Sequence, residues 1–206
     1  MTQAALTGWK HPTGAVPQCV AVVGLGPSHN DYFQHLIPHQ PQVPWSETWS
    51  INTGLRIVPG DLCFIMDDMR DYGDRHPVYG KLMADALIPI ITNAVYEEYP
   101  NAIAYPLDLV RKHCAGSSEF HGNSVPYILA YACFIGVQRL CLFGVDYSGL
   151  GIWSPEEGRE VAAHWIGFCR GRGMTIDITE NSTLMQSNRK GRDPSFRKFY
   201  GYLRQP

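Results

Sequence analysis

Residues 20–28 read Val-Ala-Val-Val-Gly-Leu-Gly-Pro-Ser, a buried apolar strand running straight into a glycine turn and a polar, helix-like segment. That arrangement suits a phosphate. Glycine lets a ligand approach the main chain, and the start of the next helix offers free N–H groups and the positive end of its dipole. Gly24, Gly26, Pro27 and Ser28 are therefore expected to line a nucleotide or nucleotide-sugar site built on the first strand. The plain alternative is a turn that merely joins two elements. A Gly26→Val change separates the two, because it is expected to abolish nucleotide binding without unfolding the domain. A dinucleotide fingerprint needs a third glycine where His29 stands, and no Walker-type lysine follows the loop, so neither an NAD-type site nor a P-loop is expected.

Other side chains carry chemistry at the ends of apolar runs. His164 is the best single general base, since imidazole titrates near neutrality; the competing role is a helix histidine packed beside Trp165. Asp67, Asp68 and Asp71 follow an apolar strand and could hold Mg²⁺ bridging diphosphate oxygens, with Asp67 also able to act as a base. Equally, they form an acidic turn beside Arg70 and Arg75. Asp146 follows another strand and either holds a ligand hydroxyl or caps a turn. His35, His39, His113 and His121 show no metal-ligand spacing with acids or cysteines. Trp45, Trp49 and Trp153 could stack a base or sugar, or simply fill the core.

Composition narrows the class. The chain has 206 residues and a formal charge of −2, so no global field marks a nucleic-acid binder. Charge is uneven, however. Residues 189–206 hold Arg189, Lys190, Arg192, Arg197, Lys198 and Arg204 against Asp193, a net +5. Such a tail is either a solvated terminus or a polyanion contact, DNA included. Six cysteines, Cys19, Cys63, Cys114, Cys133, Cys141 and Cys169, sit mostly in apolar runs, and no pair has CxxC spacing. They read as core thiols of a cytoplasmic protein rather than a disulfide framework or zinc site. No apolar run reaches membrane-spanning length.

The elements that position these residues follow from periodicity and punctuation. Strands are expected at about 18–24, 49–52, 62–66, 88–92, 102–105, 139–143 and 175–178. Helices are expected from Ser28 to Ile37, near 93–98, from Asn123 or Ser124 to Gly136, and from Ser154 to Arg172 with Gly173 as the stop. The charged, turn-rich stretch 69–80 reads as a surface loop. Alternating strands and helices predict an α/β fold, a Rossmann-like three-layer sandwich with a mostly parallel sheet. The ligand then belongs at the carboxyl ends of the strands, where Gly24–Ser28, Asn52, Asp67–Asp68 and Gly144–Tyr147 converge.

The spaced set Gly24-x-Gly26-Pro27-Ser28, Trp49-x-Ile51-Asn52, Phe64-Ile65-Met66-Asp67, Gly122-Asn123-Ser124, Gly136 and Leu142-Phe143-Gly144-Val145-Asp146 resembles a known group. It is the Rossmann-like superfamily of bacterial lipooligosaccharide sialyltransferases, flagellin-modifying motility accessory proteins and 6-hydroxymethylpterin diphosphokinases, which has compact phage-encoded members. The resemblance covers about residues 18–185, between a flexible arm (1–17) and the basic tail (186–206). It implies a nucleotide-dependent transferase, foremost a small glycosyltransferase with a nucleotide-sugar donor. Gly24, Gly26 and Ser28 would line the phosphate, Asn52 would bond sugar or ribose, Asn123 and Ser124 would hold a phosphate or carboxylate at a helix start, and His164 would be the base. Leu25 stands where members usually carry asparagine, so one polar contact to the ligand is missing from the pattern. The rivals are a Mg²⁺-dependent diphosphotransferase using Asp67 and Asp68, a protein that binds nucleotide without turning it over, and a transferase acting on modified DNA through the basic tail.

Overall fold

A computed structural model describes residues 8–37, 44–58, 60–114, 121–147 and 155–185. Seven strands form one sheet: β1 (Cys19–Val23), β2 (Glu47–Ile51), β3 (Leu62–Ile65), β4 (Ile90–Thr92), β5 (Ala102–Ala104), β6 (Arg139–Phe143) and β7 (Thr175–Ile178). Their order is β5-β4-β3-β2-β1-β6-β7, and every neighbouring pair is parallel. β1 is central, pairing Val23 with Ser50 of β2 on one side and with Phe143 of β6 on the other. All five of its residues are buried, as a strand covered on both faces requires.

Alternation along β1 sorts the helices into two layers. Val20 and Val22 face a core shared with α4 (Leu107–His113), α5 (Ser124–Ile135) and α6 (Pro155–Gly171). Cys19, Ala21 and Val23 face Tyr32 of α1 (Asn30–His35), with Trp45 and Phe143. Farther along that face, Cys63, Ile65 and Ile90 pack with Met69 of α2 (Met69–Arg75) and Met83 of α3 (Pro77–Ala84). The result is the three-layer α/β/α sandwich. Among the described residues no helix is long and apolar enough to cross a membrane.

α5 is the best-punctuated helix. Asn123 caps it with Oδ1 accepting from the Val125 N–H at 3.1 Å, and Gly136 ends it at φ +92°. Nine of its twelve residues are buried, so its stability rests on packing rather than on an amphipathic stripe.

Three expectations need correcting. The stretch 69–80, expected as a loop, contains α2 and the start of α3. Asp68 caps α2 by accepting from the Arg70 N–H at 2.9 Å, and Pro77 opens α3. Gly73 and Gly80 are not turn residues: a Cβ on Gly80 would stand 3.2 Å from the Gly73 Cα, so they let the two helices touch. Residues 93–98, expected as a helix, form turns, because Tyr96 and Tyr99 are drawn inward to bond the main chain of Met69 at 3.3 Å each. α4, unforeseen, starts directly after Pro106. Nor is the arm before β1 loose where it is described. His11 is 5 % exposed, with Nδ1 at 2.9 Å from the Tyr131 hydroxyl and Nε2 at 3.1 Å from Glu47. The basic tail from residue 186 and the Ser154 cap lie outside the described residues.

Glu47 ties this arm to the sheet. Its carboxylate accepts from His11, from the Thr13 hydroxyl at 2.5 Å and from the Trp49 indole N–H at 2.8 Å. Burial, the largest single influence, pushes its pKa up, but those hydrogen bonds together outweigh it and hold the group below its ordinary 4.5. The ionised carboxylate therefore contributes stability in full above about pH 4.5, lost as the pH falls through the lower folded-state value. Glu47→Gln is expected to cost about 2 kcal/mol at pH 7 and to flatten the acid limb of the stability curve. Urea titrations from pH 7 to pH 3 check this, and an unchanged acid limb would refute it.

Candidate functional site

β1 is followed in sequence by β2 on one side, while β6 lies on its other side, so the chain reverses direction across the sheet between β1 and β6. At such a switch point the loops leaving the two strands diverge and open a crevice at their carboxyl ends. Here the two loops first meet and are stitched together. Gly24 N–H bonds the Phe143 carbonyl and Gly26 N–H the Gly144 carbonyl, both at 2.8 Å. Gly144 N–H returns a bond to Ser28 Oγ at 2.9 Å, and Ser28 N–H donates to Asp146 Oδ2 at 2.8 Å. Asp146 also accepts from the Thr183 N–H at 3.3 Å, bringing in the segment after β7.

Glycine is required at this seam. A Cβ on Gly24 would stand 2.5 Å from the Gly144 carbonyl oxygen, and one on Gly26 would stand 2.3 Å from Asp146 Oδ2. Gly144 has φ +65°, and its Cβ would fall 2.4 Å from the Gly24 oxygen. The glycines thus serve the approach of one loop to the other before any approach of ligand. This changes two expectations. The N–H groups of Gly24, Gly26 and Ser28 are spent on the protein itself, so they are not free to cradle a phosphate. And Gly26→Val cannot be a clean binding variant, because the valine collides with Asp146.

Above the seam lies a cavity of about 500 Å³. Gly24, Gly26 and Pro27 from the first loop, Asn52 from the end of β2, Asn123 and Ser124 from the start of α5, and Asp146 after β6 all line it. Sequence reasoning named these seven. Ser28 is outside the lining and 2 % exposed, its hydroxyl occupied by Gly144. Leu25, Val125 and Tyr147 also line the cavity and were not named as binding residues.

Two amides give the cavity its polarity. Asn52 sits in the left-handed region at φ +50°, a conformation that asparagine tolerates better than most residues. Its carbonyl accepts a weak bond from the Cys63 thiol at 3.6 Å, and burial keeps that thiol protonated by pushing its pKa up to about 12. Asn52 Oδ1 is buried with no hydrogen-bond partner. Across the cavity, Asn123 Oδ1 accepts from both Val125 N–H and the Tyr147 hydroxyl at 2.7 Å, which fixes the amide and leaves Nδ2 buried and unbonded. Both asparagines line the cavity, and each also carries one buried amide atom that the protein leaves unmatched.

Tyr147 carries the second left-handed non-glycine conformation of the lining, φ +47°. Burial raises its pKa despite the bond to Asn123, so it acts as a donor and not as a base. The first turns of α6 hold it in place: a Cβ on Gly158 would meet its ring at 2.7 Å, and Arg159 Nη2 donates to its carbonyl at 3.1 Å.

The remaining predicted residues are not gathered here. His164 is exposed on α6, beside Trp165 and outside the lining. Asp67 is exposed, and Asp68 is committed to capping α2. Neither borders the cavity. Among the described residues the one group of three side chains with mutually close metal-ligating atoms is His113, Cys114 and Cys133.

No family model and no curated protein matches the chain. Solved structures do. The chain is similar to the sialyltransferase CstII from Campylobacter jejuni in complex with the substrate analogue CMP-3FNeuAc, at TM-score 0.51 and 14% identity over 78% of this chain and 79% of that one. The same enzyme with cytidine 5'-monophosphate matches at TM-score 0.51 and 15% identity over 81% and 82%. A point mutant, described as an alpha-2,3/8-sialyltransferase, matches at 0.51 and 13% over 78% and 80%. The chain thus shares the sialyltransferase-like Rossmann fold, seen in glycosyltransferases.

The seam makes a stability prediction. Ser28→Ala leaves the buried Gly144 N–H without its acceptor and is expected to cost about 1–3 kcal/mol in urea unfolding. Gly26→Val is expected to cost more and to lower the melting temperature. A Gly26→Val protein as stable as the parent would show that the seam contributes nothing.

Proposed function

We propose that the chain is a nucleotide-sugar transferase whose donor occupies the crevice between β1 and β6, and that the donor is a cytidine monophosphate sugar. The observation that carries this is the cavity at the switch point, where Asn52, Asn123 and the start of α5 at Ser124 converge over the glycine seam. Two amide side chains in the wall of one cavity suit the hydroxyls of a ribose or the polar edge of a base. The fold it shares with an enzyme bound to a CMP-sugar analogue supports the same class.

The charge of the site supports a donor with a single phosphate. Among the described residues, no lysine or arginine lines the cavity and no carboxylate cluster for magnesium borders it. A diphosphate would be left poorly neutralised. One phosphodiester carries a single negative charge, which the N-terminus of α5 at Ser124 can stabilise. On transfer the acceptor oxygen bonds the anomeric carbon, the carbon–oxygen bond to phosphate breaks, and CMP leaves with the electron pair and a second negative charge. The acceptor's proton passes to a base. His164 would fill that role only for an acceptor approaching the exposed side of α6, so His164→Ala is expected to leave donor affinity unchanged within twofold.

Two substitutions test the donor site without disturbing its frame. Asn123→Asp keeps the oxygen that caps α5 and bonds Tyr147 but removes the Nδ2 donor. Asn52→Gly keeps the left-handed backbone and removes Oδ1. Each is expected to weaken CMP binding about tenfold in calorimetry, the equivalent of one buried hydrogen bond. Chelator should not change the parent's affinity. Equal affinity in both variants would reject this site. Release of CMP from a CMP-sugar separates a transferase from a protein that only binds.

A further inference from the structure

Three cysteines and a histidine that are scattered in sequence come together at the far end of α5. His113 and Cys114 end α4, Cys133 lies in the last turns of α5, and Cys169 lies near the end of α6. The Sγ of Cys133 is 3.9 Å from His113 Nε2, and the ligating atoms of His113, Cys114 and Cys133 all lie within 4.8 Å of one another. Cys169 neighbours Cys133, but its thiol donates to the Leu129 carbonyl at 3.5 Å and stands outside that mutually close group of three. Cys114 and Cys169 are fully buried.

We propose that His113, Cys114 and Cys133 form a zinc site, which Cys169 completes as fourth ligand by turning its thiol away from the Leu129 carbonyl, so that the metal clamps α4, α5 and α6 together. A tetrahedral zinc ion, with bonds of about 2.3 Å to sulfur and about 2.0 Å to nitrogen, brings its ligand atoms to within about 4 Å of each other, and Cys₃His is a common structural set. The 3.9 Å separation of Cys133 and His113 is already of that size.

Charge and protonation agree with the geometry. A metal ion binds all three sulfurs as thiolates, and their protons are released to solvent. Arg172 Nη1 lies 3.3 Å from His113 Nε2 and Nη2 donates to the His113 carbonyl at 3.2 Å. Its contact marks Nε2 as the nitrogen with a free lone pair. Its charge also balances the net −1 of zinc with three thiolates, and it keeps its carbonyl bond when the metal takes the ring nitrogen.

The site is independent of the donor cavity, although it shares α5. Cys133 is ten residues from Asn123, about 15 Å along the helix. Metal loss is therefore expected to act on stability.

The full chain, purified under reducing conditions with zinc and gel-filtered, is expected to hold about one zinc per chain by elemental analysis. Cys133→Ser and Cys169→Ser should lose it and Cys19→Ser, outside the cluster, should keep it. Chelator should lower the parent's melting temperature and leave that of Cys133→Ser unmoved. If the serine variants do not fold, cobalt added to the metal-free parent decides: the spectrum of a tetrahedral, thiolate-rich ion supports the site. No bound zinc and no cobalt spectrum in the reduced parent would overturn it. So would a disulfide among these cysteines in protein that takes up no metal.

Discussion

The main-chain contact between the loops after β1 and β6 governs the arrangement of this molecule's polar end. Gly24, Gly26 and Gly144 bring two backbones to a distance no side chain allows, and Ser28 and Asp146 complete the hydrogen bonding there. Because β1 and β6 are paired in register up to Val23 and Phe143, the seam is a continuation of the sheet beyond its last strand residue. The crevice is therefore positioned by two paired strands inside the sheet. Asn52 arrives from the other neighbour of β1, and Asn123 from the helix that covers this sheet face.

The two asparagines are held by different means. Asn123 is fixed by what it bonds, a helix terminus and a tyrosine. Asn52 is fixed by its backbone, which leaves β2 in a left-handed turn. Each leaves one amide atom unused inside the protein. Buried polar groups are ordinarily matched, so each unmatched atom costs stability in the wall that these two residues build.

How much of this could be read from residues alone depends on the kind of signal. Strands β1, β3 and β6 were legible because short apolar runs ended in glycine or aspartate. The α5 boundaries were legible from Asn123, Pro126 and Gly136. α2 and α3 were not, because Gly73 and Gly80 look like turn residues until the packing of one helix on another is known. The glycine loop was located correctly, but its physical reason was not: sequence shows that glycine is present, not whether a ligand or another loop approaches it. Tyr147 was placed at a strand end with the rest of Gly144–Tyr147, but nothing local demands its φ of +47°. The His113–Cys114–Cys133 group was invisible for a simpler reason. Its members come from different helices, so no spacing rule could join them.

A crevice floored by glycine main chain has a consequence for how such a protein can diversify. Its floor offers no side chain to exchange, and any side chain added there meets backbone or Asp146 before it meets a ligand. Variation in what the crevice accepts is channelled to its walls: Leu25, 46 % exposed at the rim, with Asn52, Asn123 and Tyr147. Altering selectivity by design means redrawing those four side chains over a floor that stays as it is. Leu25 is the natural starting point, because its exposed side chain stands clear of the hydrogen bonds that join the two loops.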